Sequence, residues 1–320
     1  LALVTSVGDG YKMAIGAFEE AFPGIKVEQT SLVATQFAPR AFQEMQAGVF
    51  AYDAITTSHY QGGQSLYLNG RMAPLKPLVF RGDVTDEKVW KDGFASGFVD
   101  RDKQFAYAAF AVKSRFLWIN TEMVKDGEIT NAQDLTNPKW KGKIITGDPR
   151  VNGAGSVPAS TLRTLFGDDI VKKIWKDQEP TLSRDNRQMT EFMVRGRYAI
   201  SIGVPTENIF PEFLAQGLGR QLKYVEVEGM DQVSSGQDVL YYFDKAPHPS
   251  AAKLFINWFL TKEGQSVWAK LAPNNSRRSD VPPGLPDSVA ASGKKYLVGD
   301  SWDNKDLIPE IQKLARQLLD

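Results

Sequence analysis

Short apolar runs that end in polar loops alternate with helical patterns along the first sixty residues. Residues 1–4 have the pattern of a buried strand, and the polar loop 5–10 separates them from apolar residues at helical spacing that extend to Phe22. The further elements predicted here are a strand at 25–28, a helix at about 39–47 and a strand at 51–55. Strands that alternate with helices predict a largely parallel sheet.

The middle of the chain repeats this pattern. Extended segments are predicted at 106–112, 116–120, 144–145 and 198–202, with helices that start near Pro158 and that carry Met189, Phe192 and Met193. A strand at 239–243 is interpreted as the return of the chain to its first half. The predicted first lobe is therefore discontinuous, with residues 1–109 and 236–320, and the second lobe comprises residues 110–235.

Composition narrows the classes of function. A length of 320 residues favours two domains, and 38 basic against 38 acidic side chains leave no net field to attract nucleic acid. The absence of cysteine removes disulfides, thiolate metal sites and cysteine nucleophiles. No apolar run approaches the roughly 20 residues that span a bilayer. The abrupt apolar start at Leu1 predicts that upstream sequence has been removed. Cleavage of an export signal is one explanation, and trimming of the sequence is the other.

The sequence lacks the usual motifs of nucleotide-binding loops and of serine hydrolases. The glycine-containing segment 153–156 lacks the Gly-Lys-Ser/Thr ending of a phosphate-binding loop. A serine hydrolase needs a histidine base, and the chain has only His59 and His248, without a Gly-x-Ser-x-Gly elbow. A transferase or hydrolase on an α/β scaffold nevertheless stays open as an alternative, because a fold does not fix a function.

Residues 246–265, with the sequence APHPSAAKLFINWFLTKEGQ, resemble the signature helix of type 2 solute-binding proteins of ABC transporters. The segment WKGKI at 140–144, the pair Asp148-Pro149 and the opening strand and loop resemble the ferric-ion and related branch of that family. The resemblance covers nearly the whole chain. It implies the type II periplasmic-binding-protein fold, in which each of two lobes is a mixed, mostly parallel sheet flanked by helices and two crossing strands form a hinge.

The resemblance also implies a function and a location. The expected partners are a small-molecule solute and the permease subunits of an ABC uptake transporter, with no nucleic acid, no cofactor and no catalysis. The expected location is periplasmic or extracellular, with a lipid anchor upstream left open, and a monomer is expected.

Polar loops at strand ends supply the candidate site, because ligands of open α/β sheets bind beyond the carboxyl ends of the strands. The first-lobe candidates are Thr5, Ser6, Gly8, Asp9, Ser58, His59 and Tyr60. The second-lobe candidates are Arg150, Ser156, Arg184, Asn186, Thr206 and Glu207, with Ser235 at the second crossing. No metal ligand set is assigned.

Hydroxyl groups, helix N-terminal amides and arginines favour a small anionic organic solute, carboxylated or phosphorylated. Ferric-ion members of the family carry adjacent tyrosines in the second-lobe loop, where this sequence has residues 205–207, Pro-Thr-Glu. The pair Tyr241-Tyr242 lies within the return strand, so at most one of its side chains reaches a cleft. The alternative is ferric-ion binding through His59, Glu207, a tyrosine and a supplementary anion.

Two further segments are ambiguous in the sequence. Asp238 is either a neighbour of the solute or a structural partner. Residues 275–279, Asn-Ser-Arg-Arg-Ser, are either an anion clamp or a solvated charge pair on a loop.

Overall fold

The computed structural model of the chain describes residues 1–32, 34–203, 209–234, 238–272, 274–291, 294–299 and 301–320. The strands are β1 (Ala2–Thr5), β2 (Glu28–Ser31), β3 (Ala54–Thr57), β4 (Met72–Ala73), β5 (Tyr107–Ala108), β6 (Val112–Lys113), β7 (Leu117–Asn120), β8 (Ile144–Gly147), β9 (Thr181–Ser183), β10 (Ile200–Ile202), β11 (Leu222–Tyr224), β12 (Gln232–Ser234), β13 (Val239–Phe243) and β14 (Leu297–Val298). The helices are α1 (Asp9–Ala21), α2 (Ala34–Gln46), α3 (Gln64–Leu68), α4 (Gly82–Thr85), α5 (Ser156–Phe166), α6 (Asp168–Lys172), α7 (Asn186–Val194), α8 (Phe210–Ala215), α9 (Pro249–Phe259), α10 (Lys262–Leu271) and α11 (Leu307–Leu319).

The chain divides into two compact units. The first unit comprises residues 1–113, 233–294 and 298–305, and the second comprises residues 114–232, 295–297 and 306–320. The sequence assigns 306–320 to the first lobe, whereas α11 packs against α5 and its Ile311 joins the core of the second unit. The apolar face of α11 fits either unit on pattern alone, so only packing decides its place. The predicted lobe boundaries near residues 109 and 235 stay predictions.

The first unit contains a mixed sheet in the order β2-β1-β3-β13-β4, with β5 also paired to β13. Strands β1, β2 and β3 run parallel, and β13 runs antiparallel to β3, β4 and β5. Among the described strands of this sheet, β13 alone therefore runs against the others. One face packs on α1, α9 and α10, because their apolar stripes supply residues such as Phe18, Phe255 and Trp268 to a common core.

The second unit contains a sheet in the order β11-β7-β10-β8-β9. Strands β8, β9 and β10 run parallel, and β7 runs antiparallel to β10 and β11. Ile144, Ile200 and Ile202 face the main core of the unit, where they meet Leu162 of α5 and the fully buried Trp175. The predicted α/β class, with a mostly parallel sheet flanked by helices in each of two bodies, is confirmed.

Several predicted elements are wrong in their limits. The helix predicted from about residue 39 is α2, which begins at Ala34, and the strand predicted at 51–55 is β3 at Ala54–Thr57. The second strand is β2 at Glu28–Ser31 rather than 25–28, because these polar residues pair with β1 at the edge of the sheet, where exposed side chains are tolerated. The signature segment is two helices, α9 and α10, since Thr261 accepts a hydrogen bond from Gly264 N–H and caps a new helix. Gly264 is thus near a helix start, where a Cβ would lie 2.1 Å from the Trp258 carbonyl oxygen.

None of the helices in the described part of the chain is long and apolar enough to cross a membrane.

Candidate functional site

The carboxyl ends of β1, β2 and β3 lie together, and we call this the first strand-end edge. Thr5 is paired with Ser31 in the parallel register, and β13 enters the sheet at the same place because Val239 is opposite Thr57. Asp238 therefore also lies at this edge. Parallel strands bring loops that are far apart in sequence to one side of a sheet.

The loop after β1 supplies four of the predicted contacts. Thr5 and Ser6 are buried, and the Thr5 hydroxyl accepts a hydrogen bond from Gln29 Nε2 at 2.8 Å and donates one to the Ser6 carbonyl at 3.0 Å. Gly8 and Asp9 are exposed, and Gly8 has φ of 151°, a conformation that favours glycine. The exposed loop and the start of α1 are thus accessible to a ligand, while the hydroxyl of Thr5 is already engaged.

The loop after β3 places His59 in the interior rather than on the surface. Its side chain is fully buried, its Nδ1 lies 2.5 Å from the Tyr241 hydroxyl oxygen, and the two rings stack. Burial lowers the pKa of His59 to about 4, against the opposing charge of Asp100, so the imidazole is neutral at pH 7. Ser58 is half-buried at the start of the helical turn His59–Gly63, and the side chain of Tyr60 lies outside what the structure describes.

A buried polar cluster lies at the first strand-end edge around Asp238. The Tyr11 hydroxyl donates to Asp238 Oδ2 at 3.2 Å, and Asn274 Nδ2 donates to the same oxygen at 2.8 Å. Burial raises the pKa of Asp238 to about 6, although these donors, with Trp268 and Thr56, act to lower it. Of the two interpretations of Asp238, that of a structural partner matches these contacts with Tyr11 and Asn274.

The carboxyl ends of β8, β9 and β10 form the second strand-end edge. Three glycines allow backbones to touch there: a Cβ on Gly155 would lie 2.1 Å from the Gly147 oxygen, and one on Gly203 would lie 1.9 Å from the Ala154 oxygen. Any larger residue would push the loop 153–155 away from the strands. The turn-rich sequence after β8 is thus a tightly packed loop that leads into α5.

Asp148 binds the side chains of two arginines at the second strand-end edge. Its buried carboxylate accepts hydrogen bonds from Arg150 Nε at 2.9 Å and Nη2 at 3.1 Å, and from Arg184 Nε at 3.0 Å. Burial alone would raise the pKa of Asp148, but the hydrogen bonds from Arg150 and Arg184 lower it to about 2. Arg150 also donates to Asp320, whereas the Arg184 side chain is 63% exposed. The predicted residues Arg150 and Arg184 are thus brought together by a carboxylate.

Ser156 and Asn186 are the remaining described candidates of the second unit, and they lie at the same edge. Ser156 is fully buried, and its hydroxyl accepts from Gly153 N–H at 3.0 Å, so it closes the loop before α5. Asn186 is exposed at the start of α7, whose first amides are capped by Asp185. Thr206, Glu207 and Ser235 lie outside the described residues. The role of every candidate in binding stays a prediction.

Arg115 also lies at the second strand-end edge, and sequence reasoning missed it. Its guanidinium lies 4.8 Å from the ring centroids of both Trp118 and Tyr224, which holds it in a cation–π sandwich. Polar residues that follow a strand indicate the carboxyl ends of parallel strands, whereas Arg115 precedes β7, which runs antiparallel and begins at this edge. The two aromatic residues that follow Arg115 closely, Phe116 and Trp118, are the signal that the sequence offers.

The arginines of the segment 275–279 form neither an anion clamp nor a solvated charge pair. Arg277 is buried and donates to the carbonyl oxygens of Ala108 and Lys91, and Arg278 is buried and pairs with Asp280. Both guanidiniums are already engaged by internal acceptors. Within the described ranges, no group of three histidine or acidic side chains is arranged to hold a metal ion.

Comparisons with known proteins bear on the whole chain. The Trichodesmium protein FutA in complex with iron and citrate superposes with a TM-score of 0.74 at 14% identity, covering 100% of this chain and 99% of that one. The Bordetella ferric binding protein gives 0.72 at 17% identity, with 99% and 98% covered. AfuA of Actinobacillus pleuropneumoniae with bound fructose 6-phosphate gives 0.66 at 17% identity, with 100% and 97% covered. At such identities the likeness shows the fold alone.

Sequence comparison extends this result. An uncharacterized protein of Haemophilus influenzae is 28% identical over 136 residues, which span 42% of this chain and 38% of that protein. A family model described as bacterial extracellular solute-binding protein matches residues 2–266. That match covers most of the chain, and the chain therefore belongs to the bacterial extracellular solute-binding protein family.

Proposed function

We propose that this chain is the periplasmic solute-binding component of an ABC uptake transporter and that it carries a small anionic organic solute to a permease. The observation that carries the anionic assignment is Arg184, an exposed guanidinium oriented by the buried Asp148 at the second strand-end edge. A fixed guanidinium can pair bidentately with a carboxylate or phosphate. Arg150 shares Asp148 but also pairs with Asp320, so Arg184 has fewer acidic partners than Arg150 and is the guanidinium left more available to an anion.

Residues of both units contribute to solute binding in this proposal. The loop 5–9 and Ser58 supply polar groups from the first unit, and Arg184 and Asn186 supply them from the second. Closure of two lobes on a hinge is driven by contacts that the solute makes to both. Removal of contacts from either unit is therefore expected to weaken binding.

Mass spectrometry of the natively purified protein tests the proposal most directly, because a tightly held solute co-purifies. Calorimetry with citrate, fructose 6-phosphate and inorganic phosphate then measures affinity for carboxylated and phosphorylated anions. We expect at least one organic anion to bind and to be recovered intact after denaturation. Recovery of a chemically altered solute would instead favour the transferase or hydrolase alternative.

Ferric-ion binding is the second candidate. It is supported by the names of several proteins with this fold, which include iron-bound and ferric-ion-binding proteins. The predicted ligands were His59, Glu207, a tyrosine and a supplementary anion; His59 is buried against Tyr241. Addition of ferric ion with citrate would produce a visible tyrosinate charge-transfer band if this candidate is correct, and no such band if the solute is an organic anion alone.

A further inference from the structure

Asp238 is a buried carboxyl group, and the described side chains that face it are uncharged at neutral pH. Its Oδ2 accepts from the Tyr11 hydroxyl on α1 and from Asn274 in the loop after α10. Thr56 of β3 and Trp268 of α10 also face the carboxyl group closely enough to affect its pKa. Tyr11 is the titratable member of this set, and burial beside Asp238 raises its pKa above its usual range, so it stays protonated.

The second oxygen of this carboxyl group is not satisfied. Asp238 Oδ1 is buried and accepts no hydrogen bond of normal length; the Thr56 hydroxyl and the Trp268 indole N–H face the carboxyl group closely enough to lower its pKa, but they too make no hydrogen bond of normal length. An ionised carboxylate without a counter-ion is costly in a low-dielectric interior. Burial accordingly raises the pKa of Asp238 to about 6, which leaves the group close to its midpoint under mildly acidic conditions.

The residues of the cluster are close in sequence to each loop that carries a predicted solute contact in the first unit. Tyr11 lies in the first turn of α1, immediately after the loop 5–8, and its hydroxyl also interacts with Ser6. Thr56 is two residues before Ser58, and Asp238 directly follows the segment 235–237 in the chain. A charged solute held by these loops would therefore interact with Asp238, because the carboxyl group is fully buried and a low-dielectric interior screens charges weakly.

We propose that Asp238 determines the charge preference of the site by taking up a proton when an anionic solute binds, so that affinity for anions increases as the pH falls. The proposal rests on the proposed anionic solute and deepens it. An anion disfavours the ionised form of a nearby carboxyl group, and a cation favours it. By linkage, an anion binds with proton uptake and a cation such as ferric ion binds with proton release.

Calorimetry in buffers of different ionisation heat measures the protons exchanged on binding of citrate or fructose 6-phosphate. We expect net proton uptake at pH 7 and a Kd that falls about tenfold between pH 8 and pH 6, since one linked proton changes an equilibrium by at most tenfold per pH unit. Asp238→Asn should abolish that part of the uptake and flatten the pH profile to within about twofold. The variant also corrects for protons exchanged by the solute itself. Equal uptake in both proteins, or proton release in the native one, would overturn the proposal.

A second variant protects the test against poor folding of Asp238→Asn. Tyr11→Phe keeps the ring that packs on Trp268 but removes one donor to the carboxylate. The pH midpoint of affinity should therefore move upward, and an unchanged midpoint contradicts the proposal.

Carboxyl NMR of the unloaded protein separates this inference from the proposed function. A midpoint of Asp238 below pH 5 overturns the inference, whatever binds. Failure of every anion to bind, with a midpoint near 6, contradicts the proposed function alone.

Discussion

Each strand-end edge holds one buried aspartate, and the two carboxyl groups are displaced in opposite directions. Asp238 faces a phenol, an amide, an indole and a hydroxyl, and burial raises its pKa to about 6. Asp148 faces two guanidiniums, and its pKa falls to about 2 despite burial. Burial alone thus does not decide the charge of such a group; the charge of its neighbours does. One edge offers a carboxyl group that titrates, and the other offers a fixed ion cluster.

The comparison depends first on the backbone packing that shapes the second edge. Gly155→Ala should cost about 3 kcal/mol or more in the free energy of unfolding, because the new methyl group meets backbone atoms that cannot move aside. Urea unfolding measures this change. Gly16→Ala in α1 is the matched control: nothing lies within 4 Å of its Cβ, so helix propensity should stabilise the protein by about 0.5–1 kcal/mol. A cost for Gly155→Ala as small as the effect at Gly16 would show that the edge is loosely packed.

The next effect is the pH dependence that Asp238 contributes to stability. Its pKa rises on folding from 3.8 to about 6, so the stabilisation by its bound proton is complete below pH 4 and is lost as the pH rises through 6. That loss amounts to about 3 kcal/mol. Urea unfolding of the native protein and of Asp238→Asn at pH 4 and at pH 7 measures it. We expect the stability difference between the two proteins to shift in favour of the variant at pH 7.

A pH-independent difference between those two proteins would mean that Asp238 is ionised throughout. The contrast between the two edges would then disappear.

For Asp148 we expect the opposite pH dependence of stability. Its pKa is lowered on folding from 3.8 to about 2, so its stabilisation is present above pH 4 and is lost as the pH falls toward 2. Asp148→Asn should therefore cost about 2 kcal/mol at pH 7 and almost nothing near pH 2. Thermal or urea unfolding across this range tests it, with Asp185→Asn as the control because Asp185 caps α7 by accepting backbone N–H groups and has no guanidinium partner in the described structure. Equal costs at both pH values would contradict the ionic account.

These two aspartates also show how far the sequence could be interpreted. Alternating strands and helices predicted the α/β class, and β13 has the limits predicted for it, since a run of apolar β-forming residues between turns is a local signal. The location of Arg150 and Arg184 at one edge follows from parallel strands, which the pattern also indicates. Their shared carboxylate depends on side-chain packing across two loops, and no local pattern encodes that contact.

The interior location of His59 was equally inaccessible from sequence. A histidine after a strand resembles a loop ligand, but the turn that follows directs it toward Tyr241, a residue 182 positions away. Arg115 was overlooked because strand direction is a tertiary property: the beginning of an antiparallel strand lies where parallel strands end. Local patterns thus predict elements, while sheet direction and long-range contacts determine the site.

The smallest effect on stability, and the most informative for function, is expected from Arg184. Arg184→Ala removes one exposed partner of Asp148, so it should change the free energy of unfolding by about 1 kcal/mol or less. Affinity for the bound organic anion should fall at least about tenfold, because a charge-assisted hydrogen bond to the solute is lost. Calorimetry with the solute identified by mass spectrometry measures the second quantity.

Arg187→Ala is the matched control, since Arg187 is similarly exposed on the same segment but pairs with Glu212. Loss of affinity in both variants would indicate a general field of positive charge at the second edge. Loss in Arg184→Ala alone would identify a directed contact, because Arg184, unlike Arg187, is oriented by the buried carboxylate. Unchanged affinity in both would remove the arginine from the site and leave the anion to the backbone amides and hydroxyl groups.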